Sequence, residues 1–137
     1  MPDVEAIMAR LRSARSVPEL LEASFDAFET IRVLARSSED IAPSLLAAFM
    51  TVADAAIDGR QAITLAPSLP PVSLITTPPA AGADIDTVTV ALTALGELLD
   101  ECLARAADRA LIPGDRAACQ EAAEAGRRIH QLMARGQ

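Results

Sequence analysis

The residues of this chain best suited to chemistry are two pairs of carboxylates at i,i+3 spacing. Glu19 stands with Glu22, and Glu97 stands with Asp100, the latter flanked by Glu101. Two carboxylates one helical turn apart share a face and can hold Mg²⁺ through hard oxygen ligands. The competing reading is a solvated acidic stripe on an amphipathic helix. Glu19, Glu22, Asp26 and Glu29 continue as one such stripe, with Arg32 and Arg36 after them. The solvated face is favoured, and Glu19, Glu22, Glu97 and Asp100 are kept as candidate metal ligands only.

His130 is the single histidine. A zinc site needs several His or Cys ligands at short spacing, and none accompanies it. It reads as a partly exposed residue near a helix end. Cys102 and Cys119 fall on apolar positions of two successive helical segments. Across a tight turn they lie about four residues out of level, roughly 6 Å of helix rise. A disulfide asks for Cα atoms within about 7 Å, so reduced core thiols are expected. No glycine-rich phosphate loop, G-x-S-x-G or C-x-x-C occurs, and no histidine partners a nucleophilic Ser or Cys. Pro67-Ser68-Leu69-Pro70 matches P-x-x-P, a pattern that arises easily in any proline-rich stretch.

In one respect, the paired carboxylates, the chain resembles the all-α nucleotide pyrophosphohydrolases, which carry E-E-x-x-E followed by E-x-x-D. That resemblance implies Mg²⁺-dependent hydrolysis through Glu19, Glu22, Glu97 and Asp100. The chain departs from the pattern in lacking the doubled Glu and in the long separation of the two clusters. It also contains no Lys or Asn to support a nucleotide. No cofactor is otherwise implied, and no motif identifies a specific family.

Composition narrows the function further. The 137 residues form one domain, 1–137, with 51% apolar residues, enough for a single core. The three Phe are the only aromatic residues, so the stacking platforms of single-stranded nucleic-acid binders are missing. A net charge of -7 repels phosphate backbones and anionic lipid, which argues against nucleic-acid and membrane partners. Every basic residue is Arg, and Lys, Asn and Tyr are all absent, a bias read as genome composition. It removes lysine chemistry. Asp3 and Glu5 replace the basic region of a secretory signal, and the longest uncharged run is broken by proline. A cytoplasmic location is the expectation.

The elements that would position these residues are helical. A first short helix covers roughly Asp3 to Ser13, with Val4, Ile7, Met8 and Leu11 on one face. A second begins at a capping box, Ser16 with Glu19, and carries Leu21, Phe25, Phe28, Ile31 and Leu34. The third is placed with Asp40 as N-cap and Pro43 at its third position. It is apolar on two faces: Ile41, Leu45, Phe49, Val52 and Ala56 on one, Leu46, Met50, Ala53 and Ile57 on the other. Such a helix is central or sits at a subunit contact. Gly59 could end it, but continuation toward Ala66 is favoured. A fourth helix runs from Asp84 to about Ala110, with Glu101 and Arg105 as an i,i+4 pair. Asp115 then caps a fifth, Arg116 to Ala134, in which Arg127 and Arg128 pair with Glu124 and small residues around Gly126 permit close packing.

Between Gln61 and Ala83 there is no charge, and Pro67, Pro70, Pro71, Pro78 and Pro79 forbid a continuous helix. Residues 67–83 are expected to form an apolar strap, long enough to cross the bundle. The fold expected is thus all-α, a four- to five-helix bundle with a long Pro-rich apolar crossover between helices 3 and 4. The leading functional reading is a non-enzymatic interaction protein, a homodimer formed through helix 3 and the strap. A bundle binding a small apolar ligand is the first alternative, and the Mg²⁺-dependent hydrolase the second.

Overall fold

Helix boundaries in this protein follow the residues that cap or block each helix. The computed structural model describes residues 2–71 and 84–135, which form α1 (Pro2–Ser13), α2 (Val17–Ser38), α3 (Leu46–Thr64), α4 (Ile85–Arg109) and α5 (Pro113–Arg135). There is no strand among the described residues. Ser16 is extended, and its hydroxyl accepts the Glu19 N–H at 3.3 Å. Glu19 in return accepts the Arg15 N–H at 3.1 Å, so the capping box closes one residue ahead of its usual partner. Asp84 caps α4 by accepting the Thr87 N–H at 2.7 Å, and this bond holds its carboxyl below the ordinary range.

The helices close a ring. α2 packs on α3, α3 on α5, α5 on α4 and α4 on α2, while α1 lies over α2 and α4. α3 and α4 therefore sit on a diagonal. Ser68, just beyond α3, bonds Asp115 at the start of α5, so α3 and α5 run antiparallel. α4 and α5 form an antiparallel hairpin around Gly96 and Gly126. It follows that α3 and α4 are parallel, and the chain leaves α3 at one end of the bundle and enters α4 at the other.

Phe28, Ile31, Phe49, Ile63, Leu92, Leu95, Leu99 and Ile129 are fully buried at the centre. Each such side chain contributes about 1.5–3 kcal/mol of burial free energy. α3 passes straight through Gly59, which is buried against the Phe28 ring: a Cβ there would lie 2.6 Å from Cζ. The glycine is a packing residue, not a helix stop.

Two local expectations, for Asp40 and for Asp115, are corrected. Asp40 does not cap α3. α2 runs on to Ser38, whose carbonyl accepts the Ile41 and Ala42 N–H groups, and Asp40 lies in that closing turn. Pro43 then opens a 3-10 turn, Pro43–Leu45, at the position where its missing N–H costs nothing. The second apolar face of α3 is only partly covered: Ala53 is buried and Ile57 half-buried, but Leu46 and Met50 are exposed. Finally, α5 begins at Pro113, so Asp115 lies inside its first turn. Its buried carboxylate accepts the Ser68 N–H at 3.0 Å and the Ser68 hydroxyl at 2.5 Å.

The first residues of the expected strap are thereby fixed on the bundle. Pro67 lies against Gly114, and Leu69 is half-buried against the core. Val72, Leu74, Ile75, Pro78 and Pro79 lie outside the described residues.

Candidate functional site

The four candidate metal ligands fall in two separate places. Glu19 and Glu22 line a shallow groove with Arg10, Ser13, Ala14 and Ala23 between α1 and the start of α2. Glu97 and Asp100 are on α4, with Asp100 turned toward α5, where Arg127 donates to both its oxygens at 3.4 Å. Each pair stays adjacent on its own helix, and the two pairs do not meet. Among the described residues no three of His, Cys, Asp and Glu are grouped to hold a metal ion.

The other singled-out residues are tied into packing. His130 is half-buried, with Nδ1 3.3 Å from the Thr93 carbonyl oxygen. Both thiols are free and buried. Burial, with a smaller repulsion from Asp115, pushes the Cys119 thiol up to about 11, which keeps it protonated and unreactive at neutral pH. Arg127 and Arg128 do not pair with Glu124. They reach across helices, Arg127 to Asp100 and Arg128 to Asp58, the latter at 3.4 Å. Nor does Arg105 pair with Glu101; its Nη2 donates to the Cys102 sulfur at 3.8 Å.

Glu29 overturns the idea of a uniformly solvated acidic stripe. It is only 5% exposed and is held by Arg32 on its own helix and by Arg60 on α3. The Arg32 hydrogen bond, aided by Arg60 and opposed by burial, keeps its carboxyl below the ordinary value. Asp26 in the same stripe pairs with Arg10 of α1 at 2.8 Å. These acids clip α2 to its neighbours. Arg60 as partner was not legible, because it lies far along the chain and the helix pairing has to be known first.

What the surface does offer is apolar. Ile41 is 64% exposed, Leu46 40% and Met50 49%, on the segment that enters α3 and on its first turns. Leu46 and Met50 are one helical turn apart and so share a face. A second apolar feature is a groove of about 430 Å³ between α1 and the start of α4, floored by Val4, Met8, Val90, Ala91 and Ala94 and edged by Glu5 and Asp86. Thr87 also lines the groove.

Comparison with family models, curated proteins and solved structures finds no match to this chain.

Proposed function

We propose that this protein acts by protein–protein interaction and that its first partner is a second copy of itself, joined through the outer edge of α3. The observation that supports this is the exposure of Ile41, Leu46 and Met50 close together in the chain at the start of α3; Leu65, Val90, Leu111 and Ile112 are also exposed, but at helix ends or on other helices. Exposed aliphatic residues gathered on one helix edge are what an interface core uses. The location proposed is cytoplasmic; no helix among the described residues is long and apolar enough to cross a membrane.

Light scattering on the eluting size-exclusion peak at micromolar concentration tests the dimer. The expected mass is twice the 14.3 kDa of one chain. Leu46→Asp with Met50→Asp should return the monomer without loss of helicity. A wild-type monomer overturns the dimer.

The α1–α4 groove favours a second reading, a bundle that takes a small apolar ligand against Val4, Met8 and Val90. Native mass spectrometry separates the two. A co-purified lipid-like mass supports the ligand, and a clean apo mass with no binding of an apolar dye removes it.

A further inference from the structure

At the end of the bundle where α1 and α4 finish and α2 begins, three arginines line one pocket. Arg12, Arg105 and Arg109 surround a cavity of about 170 Å³ whose remaining walls are Leu11, Ala14, Leu20 and the Cys102 thiol. No carboxylate lines it. In a chain with 19 acidic residues against 12 arginines, that is contrary to the average surroundings of a cation.

Five of the other nine arginines are ion-paired; among the described residues Arg15, Arg36, Arg116 and Arg135 are not, but none of those four lines this pocket. Arg10, Arg32, Arg60, Arg127 and Arg128 each reach a carboxylate. Among the described residues none of the three pocket arginines has an ion pair, and residues 72–83 carry no acidic side chain that could provide one. Helix dipoles explain Arg12 and Arg109 singly, since each lies in the last turn of its helix. They do not explain Arg105, which stands a turn earlier and is turned away from Glu101 toward Cys102. All three are exposed, so water screens their mutual repulsion, but an anion seated among them would be attracted by all three.

We propose that this pocket is an anion site for the phosphoryl group of a small phosphorylated molecule. Guanidinium forks match phosphate oxygens bidentately, which a carboxylate-free pocket with three of them is suited to do. The volume admits a phosphate or pyrophosphate group, and no aromatic side chain lines the pocket to stack a base. The site stands independently of the dimer, since it lies on α1, α2 and α4 and not on α3.

Calorimetric titration of the full chain with pyrophosphate, at low ionic strength of about 0.02 M, tests it. One saturable site per chain is expected, weakened about tenfold or more in Arg105→Gln/Arg109→Gln and unchanged in Arg135→Gln, which lies off the pocket. Bound pyrophosphate should also slow alkylation of Cys102 in the wild-type chain, a readout that needs no variant. Absence of binding overturns the proposal. So does equal affinity in the double variant, an equal loss in Arg135→Gln, or saturation that leaves Cys102 labelling unaltered.

Discussion

Gly96 and Gly126 face each other across the α4–α5 contact, so closely that a Cβ on either would stand 2.9 Å from the carbonyl oxygen of the other. Both obstacles are helix backbone, which cannot rotate away as a side chain can. Gly126 would also meet the Asp100 nitrogen at 3.0 Å, and Gly96 the His130 nitrogen at 2.9 Å. The two helices therefore approach as near as their main chains allow, and Ala122 and Ala123 keep the seam narrow on one side.

Gly126→Ala should destabilise the fold by about 1–3 kcal/mol, and Gly126→Leu by more, because overpacking here forces the helices apart. Urea unfolding followed by circular dichroism measures both. A neutral Gly126→Leu would show that α5 can shift without loss.

Gly59 makes a different kind of contact, with a ring. The Cβ of Gly59→Ala would fall 2.6–2.7 Å from ring atoms of the fully buried Phe28, so the ring must move within a packed core. A loss of about 1–3 kcal/mol is expected in the wild-type background. The same change made with Phe28→Leu should cost less, and the coupling read from the double-mutant cycle should be about 1 kcal/mol or more. Simple additivity would mean that the ring does not set the α2–α3 distance.

Glu29 makes acid stability a question of sign. Its folded carboxyl lies below the ordinary 4.5, so it contributes stability above that value and loses it as pH falls through the lower folded value. Unfolding free energy should decline below about pH 4.5, and Glu29→Gln should flatten that part of the profile. At neutral pH the substitution leaves Arg32 and Arg60 without their shared anion and should cost about 3 kcal/mol. This is the low end for a broken buried pair, because both guanidinium groups keep some contact with water.

Cys119 should resist alkylation in the native protein at pH 8, since its thiol is buried and pushed up to about 11. After unfolding in denaturant both cysteines should label at similar rates. Mass spectrometry of the iodoacetamide product gives the count, and rapid native labelling of Cys119 would contradict its full burial.

Helix identity and the long-range character of the fold were legible because they rest on periodicity and on blockers. Ser16, Asp84 and the prolines mark starts, and the leucine spacing marks faces. Continuation of α3 through Gly59 could be anticipated from Ile63, an apolar residue one turn beyond the glycine and on the buried face. Partner choice was not legible. Asp115 looks like an N-cap for its own helix, yet it serves Ser68, 47 positions away. Arg127 and Arg128 look like partners of Glu124 and instead bridge to α4 and α3. Local spacing gives only the i,i+4 options, and a carboxylate on a neighbouring helix competes once the bundle has formed. The same limit hid the arginine pocket, whose members lie on α1 and α4 and converge only through the fold.

The diagonal placement of parallel α3 and α4 carries a consequence for how the chain could be divided. Each half is a helical hairpin, α2 with α3 and α4 with α5, packed most extensively within itself, and the two hairpins meet along α3–α5 and, less extensively, α2–α4. Neither hairpin would keep its apolar face dry alone, but the pair have complementary surfaces and the peptide link between them adds only a modest loop-closure term. Separate fragments 1–71 and 84–137 should thus behave as a split protein, unstructured apart and folding on mixing, with Ser68 and Asp115 clasped across the cut.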